Sequence, residues 1–372
     1  MSKDKTQKCY TEVSVIGSGI AGITTAFHLG QKGYKVNLID PKINSKINNL
    51  NPQNGSQASL GILMGNSYKR TKGRSFYLRD KSMKLWRKWL ERLNYSNIEI
   101  EKPFIKLASS EKEYESMINL IKIKKNYNIE LLSKNSLEFW SLIFEKKLIG
   151  GFISHEDGRI NPIKLMQILL KKIDDMKIKK INDKVTSIKI NGQSLNKKWR
   201  INLENNEPIN QDFIVICTAL NSQELLQSLG HKILLEPILG QVIELELNTK
   251  NKDWKKWPAV LNYQSINFIH HNPLHIYMGA TIEPGLKSSH VNKQKMLTIN
   301  NTSPEWFKKA KISQEWSGLR ARPLNEPAPL LKELDIGLLV NTGHYRNGIL
   351  LAPACAEWVG LTIESQRLKA QY

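Results

Sequence analysis

The chain has 372 residues, 40% of them hydrophobic, which is enough for two sizeable cores. A formal charge of +21 would suit nucleic acid or an anionic membrane, but the lysines are scattered through an Ile- and Asn-rich sequence, and no nucleic-acid partner is expected. No apolar run reaches the length of a membrane span, residues 1–8 are polar, and Cys9, Cys217 and Cys355 are too few and too widely spaced for a disulfide framework or a zinc site, so a cytoplasmic protein is expected.

The first element is the most informative. Val13-Ser14-Val15-Ile16 is a short β-branched strand, followed at once by Gly17-Ser18-Gly19-Ile20-Ala21-Gly22. In this G-x-G-x-x-G pattern Gly17 makes the tight exit from the strand, Gly19 admits a pyrophosphate to the backbone, and Gly22 lets the next helix lie close on the sheet. The helix starting near Ile20 would offer unpaired N–H groups and a positive dipole end to that diphosphate. Lys35-Val36-Asn37-Leu38-Ile39 reads as the second strand and ends in Asp40, then Pro41. A carboxylate there accepts hydrogen bonds from ribose hydroxyls and repels a 2′-phosphate, which favours FAD or NAD over NADP.

Residues 41–54 read as a polar loop, 75–93 as a helix with one apolar side, 98–107 as extended, and 111–125 as a second helix. Asp157-Gly158 marks a turn, and Asn161-Pro162 caps and opens a helix through Ile173. Strands are expected over 185–190, 199–203, 213–217, 240–247, 266–270, 275–278, 314–319 and 336–341, with a helical patch over 303–311 and a last helix over 348–368. The fold class is α/β: a Rossmann-like dinucleotide-binding domain plus a second α+β domain on a mainly antiparallel sheet. The first is assigned residues 1–75, 150–235 and 312–372, and the second residues 76–149 and 236–311.

The run Gly343-His344-Tyr345-Arg346-Asn347-Gly348-Ile349-Leu350-Leu351-Ala352-Pro353-Ala354 resembles the flavin-contacting end of the D-amino-acid-oxidase-type flavoproteins, most closely the glycine oxidases of thiamine biosynthesis. In order along the chain, 55–61, 157–162, 237–241, 279–285 and 316–320 are similar to the same family. The resemblance implies non-covalent FAD. It places Ile16, Gly17, Gly19, Ile20, Ala21, Gly22, Asp40 and Pro41 at its adenosine diphosphate half, with Val185 and Thr218 beside them. Ser59, Gly61, Gly343, Arg346, Asn347, Gly348, Ile349 and Leu350 fall at the flavin. A helix beginning at Gly348 would turn its positive end towards the reduced pyrimidine edge.

For substrate the resemblance points to Arg320, whose planar guanidinium pairs with a carboxylate through two parallel hydrogen bonds and so orients Cα–H towards flavin N5. Arg346 would share the catalytic pocket, and Ile62 would line it. Arg322 competes with Arg320 as the anchor, because Ala321-Arg322-Pro323 stands where the glycine oxidases show Pro-Gly. The family also offers a tyrosine hydroxyl from the strand before Gly279-Ala280-Thr281. This chain has Asn267-Phe268 there with His270 and His271 nearby, so Asn267 and His270 are expected to line the substrate pocket, and Tyr263 or Tyr345 stands as a replacement hydroxyl.

The function this implies is oxidation of a small amino acid or secondary amine (glycine, sarcosine or a D-amino acid) by hydride transfer to the flavin. Dioxygen would reoxidise the flavin to give hydrogen peroxide, and the imine could be handed to a thiazole synthase. A homo-oligomer is compatible with this. Two alternatives stand beside it: a flavoenzyme of the same fold acting on tRNA, and a flavin-binding protein that has lost catalysis.

Overall fold

The structure is a computed structural model that describes residues 11–48, 52, 54–93, 98–191 and 198–369; Cys9 and residues 1–8 lie outside them. Its first sheet is six-stranded. Glu12–Ile16 sits between Lys35–Ile39 and Phe213–Ile216, all parallel, and Leu338–Thr342 continues the parallel set beyond Phe213–Ile216. Lys179–Ile181 closes one edge in parallel and Leu330–Asp335 the other in antiparallel. Strand alternation divides the apolar residues between two cores. Val13, Val15, Val215 and Leu339 face the helices, while Ile16, Ile214, Ile216 and Val340 face a core shared with Val185, Ile188 and Trp199 of a smaller three-stranded sheet.

On the helical side Ile20–Gln31 packs against the last helix, Gly348–Lys369, and against Pro162–Asp175. Asn161 caps the last of these as expected, its Oδ1 accepting the N–H groups of Ile163 and Lys164.

The second sheet has nine strands and is antiparallel except where Val260–Tyr263 runs parallel to Phe104–Leu107. One face is covered by the helices Lys134–Ile143, His290–Leu297 and Glu305–Lys308, with Trp140, Met296 and Phe307 packed on Ile243, Leu245, Phe268 and Met278. The other face carries Val242, Val260, Ile269 and Trp316 and meets Ala58 and Leu60, which arrive from the first half of the molecule.

Three segments lie elsewhere than their place along the chain suggested. Arg74–Leu93 buries Trp86 and Trp89 in the core of the first sheet, and the Trp86 indole donates to the Ile349 carbonyl at 2.9 Å, so this helix belongs with the dinucleotide half. Gly151–Ser154 and Lys311–Pro323 are strands of the nine-stranded sheet, the latter paired along its length with Leu235–Glu246. Pairing partners far away in sequence decide these memberships. None of the described helices is long and apolar enough to cross a membrane.

Candidate functional site

Of the three fingerprint glycines, two are required by the protein itself. Gly17 has φ +104°, and a Cβ on it would lie 2.6 Å from the Cys217 carbonyl oxygen; one on Gly22 would lie 1.7 Å from the Gly17 carbonyl oxygen. A Cβ on Gly19 would meet only the Ser56 hydroxyl, at an ordinary 3.5 Å. Apart from that hydroxyl, the space over Gly19 is open, as a pyrophosphate cradle requires. Ile20 opens the helix, its N–H donating to Ser56 Oγ at 3.0 Å, and Ala21 and Gly22 are buried in the first turn. Thr218 borders Gly17, its hydroxyl sharing a hydrogen bond with Ser222 at 3.0 Å. Asp40 is held at the end of the second strand, accepting the N–H of Ser18 and that of Lys42, both at 2.7 Å, while Pro41 is exposed beside it. Val185 packs in the core beneath Ile16 and Ile39.

Two further segments reach this cradle. In residues 54–61, Asn54 accepts the N–H groups of Ser56 and Gln57, and Ser59 Oγ accepts that of Gly61 at 3.0 Å. Gly61 has φ +75°, with no room for a Cβ against the Ile160 carbonyl. Ile62 follows and pairs with Arg159. The second segment is the C-terminal turn. Gly343 has φ +62° and lies against Pro323; the Asn347 N–H donates to the His344 carbonyl, and the Asn347 carbonyl accepts the Leu351 N–H. Ile349 and Leu350 are buried. A Cβ on Gly348 would lie 3.6 Å from Ile20 Cγ2, so the two helices begin close together.

The nine-stranded sheet supplies the opposite wall. Its registers place Arg320 across from Ile238, Gly318 across from Gly240, and Trp316 and Gly279 across from Val242, with Asn267 next to Gly279. Cross-strand partners share a face, so Arg320, Trp316 and Asn267 all look the same way, with Trp316 Nε1 donating to the Ala58 carbonyl. The Arg320 guanidinium lies over Gly240, where a Cβ would sit 2.1 Å from Nη2. It donates to the carbonyls of Thr281 at 3.0 Å and Leu239 at 3.3 Å, and among the described residues no carboxylate forms an ion pair with it. Burial, followed by the neighbouring Arg346 charge, lowers its pKa to about 10. Arg322, by contrast, is already paired with Glu236. Arg346 is exposed and Tyr345 half-buried beside them.

Asn267 donates to the Gly279 carbonyl at 3.0 Å and accepts from Asn262 at 2.9 Å. His270 is a correction. It falls one strand position out of step with Asn267 and Ile269, turns to the helix-covered face, and packs on Trp257 with ring centroids 5.0 Å apart. There it hydrogen-bonds Asn251 at 2.9 Å, and burial lowers its pKa to about 4. Tyr263 likewise points into that core against Phe144. Sequence reasoning assigned no role to Gly240 or Ser56. Gly240 lies in a family-like segment but makes room for a residue 80 positions away, and Ser56 is one of many serines.

The family described as "FAD dependent oxidoreductase" matches residues 12–360. A glycine oxidase of Pseudomonas putida is 27% identical over 154 residues, covering 39% of this chain and 40% of that protein. The bifunctional protein ThiO/ThiG of Trichormus variabilis is 22% identical over 363 residues, covering 96% of this chain and 53% of that protein. The chain thus spans about half the length, or less, of these curated relatives. The crystal structure of glycine oxidase from Bacillus cereus has a TM-score of 0.79 at 21% identity, covering 96% of this chain and 95% of that one, a likeness of fold. With the match over residues 12–360, the chain belongs to the FAD-dependent oxidoreductase family.

Proposed function

We propose that the protein oxidises the C–N bond of a small amino acid or secondary amine, of the glycine, sarcosine or D-amino acid type. The observation that carries this reading is Arg320: a half-buried guanidinium whose hydrogen bonds among the described residues go to carbonyls, on the sheet face that looks towards the dinucleotide half. A desolvated cation without a counter-ion is a site for a carboxylate, and its fork fixes the orientation of what it binds. FAD would be held at its diphosphate by Gly19 and Ile20, at its ribose by Asp40, and at its flavin end by 59–61 and 346–350. When bound it supplies a two-electron acceptor for hydride, regenerated by dioxygen to give hydrogen peroxide.

The chain's own part is to position and to exclude water. Arg320 holds the carboxylate, Arg346 adds positive charge beside it, and Ile62, Trp316 and Asn267 shape the space for the substrate carbon and amine. A substrate bound as the free amine needs no side-chain base. The fusion of ThiO with ThiG in one relative supports transfer of the imine product to a thiazole synthase. The test is an anaerobic screen of flavin bleaching with glycine, sarcosine, D-amino acids and proline, read at the flavin absorbance. Bleaching by one of these supports the reading. A flavin that none of them reduces contradicts it and favours a catalytically silent flavoprotein, a reading that Asn267 in place of the family tyrosine also supports.

A further inference from the structure

We propose that Arg322 is a positioning residue: paired with Glu236, it braces the ring of Tyr345 and so keeps Tyr345 and Arg346 beside Arg320. The inference rests on the carboxylate-pocket reading above. Arg322 and Glu236 are direct cross-strand neighbours and form an ion pair. The Arg322 guanidinium also lies 6.0 Å from the centre of the Tyr345 ring, within reach of a cation–π contact. The Tyr345 backbone docks on the same strand, its N–H donating to the Ala321 carbonyl at 3.1 Å.

The turn these contacts hold is one that would not hold itself. Tyr345 has φ +54°, a left-handed conformation that a residue with a side chain keeps only where its surroundings over-determine it. Gly343, at φ +62°, is pressed on Pro323, the next residue of the strand. Beyond the turn, Arg346 carries the strongest of the charges acting on Arg320, and two like charges repel. Released from Arg322, the turn would swing Arg346 outwards and leave Arg320 alone. Arg322 itself is a poor anchor, because its charge is already neutralised by Glu236 and its side chain is 41% exposed.

The experiment titrates acetate, the simplest carboxylate, into the full-length FAD-loaded protein and follows the flavin spectrum. Arg322→Met is expected to weaken acetate binding on the order of tenfold, read per FAD-loaded site, as displaced binding groups do. Arg322→Lys should recover part of the loss, since it keeps the charge pair but not the planar face. In a Tyr345→Ala background Arg322→Met should change the affinity less than about twofold, because the brace has nothing left to hold. Glu236→Gln frees the cation without deleting it and should reproduce the loss if Arg322→Met does not fold. An Arg322→Met effect equally large with and without the Tyr345 ring overturns the brace, as does unchanged affinity in both Arg322→Met and Glu236→Gln. A wild-type flavin that does not respond to acetate, with Arg320→Ala as the matching control, removes the carboxylate pocket itself and the brace with it.

Discussion

Gly19 and Ser56 face each other across the mouth of the cradle, with only the Ser56 hydroxyl, 3.5 Å away, where a Gly19 side chain would go. The protein alone would tolerate a side chain at Gly19, whose backbone is extended at φ −71° and ψ 176°. Gly19→Val should therefore give an apo-protein whose stability changes by less than about 1 kcal/mol but which retains no FAD. Gly22→Ala should behave differently, because its Cβ meets a carbonyl at 1.7 Å; a loss of about 1–3 kcal/mol or more from overpacking is expected. Absorbance ratios at 450 and 280 nm with denaturant melts of the apo-proteins separate the two. Full FAD occupancy in Gly19→Val sinks the cofactor assignment.

Asp40 holds the Ser18 and Lys42 N–H groups and has lone pairs left for ribose hydroxyls. Asp40→Ala should weaken FAD by about 1.5–3 kcal/mol, the range for hydrogen bonds to a charged group, or roughly ten- to a hundredfold in Kd. Asp40→Asn keeps an acceptor and should lose less. Equilibrium binding of FAD to the apo-variants checks this, and an unchanged Kd in Asp40→Ala removes Asp40 from the site.

Much of this arrangement was legible in the sequence because local rules decide it. The glycine turn, the Asn161-Pro162 helix start and the strand ending at Asp40 each depend on neighbours a few residues apart, and the structure has all three. What was not legible depends on pairing. The resemblance pointed to Arg320 with Arg322 as its competitor, but that Glu236, 86 positions earlier, is the cross-strand partner of Arg322 could not be read from it. The misplacement of His270 came from strand parity, which sends adjacent residues to opposite faces and cannot be fixed without the register. Lys134–Ile143 and His290–Leu297 were missed as helices; each is short, at ten and eight residues, which leaves little length for a periodic pattern to stand out.

His344 is buried at the start of the last turn with its Nε2 unpartnered among the described residues, and burial, followed by the Arg74 charge, lowers its pKa from 6.5 to about 4. The unfolded chain takes up this proton near pH 6.5 and the folded protein only near pH 4, so stability is intact above 6.5 and falls as the pH drops between the two values. The shift corresponds to on the order of 3 kcal/mol at the acid end. Urea unfolding at pH 7 and pH 4.5 should show a smaller acid loss in His344→Phe than in the wild type. Parallel losses in the two proteins rule out His344 as the source.

Covalent attachment of the flavin is not expected. Cys355 and Cys217 are both buried in the helix-side core with pKa values raised by burial, which keeps them as unreactive thiols. Acid precipitation should release all the yellow colour to the supernatant. Flavin on a peptide containing Cys355 would overturn this.

The central claim is that Arg320 anchors a substrate carboxylate, and anaerobic flavin reduction by glycine and by its decarboxylated analogue methylamine tests it in wild type, Arg320→Ala and Arg322→Ala. Glycine should bleach the wild-type flavin and methylamine should not. Arg320→Ala should lose at least about a hundredfold in reduction efficiency with glycine, since the substrate charge is left without its partner. Arg320→Lys should restore only part of that. Arg322→Ala should retain reduction at a lower affinity. If Arg322→Ala is the crippled variant, the anchor lies two residues further on; if neither substitution matters and methylamine reduces the flavin as well as glycine does, the account of this site is wrong.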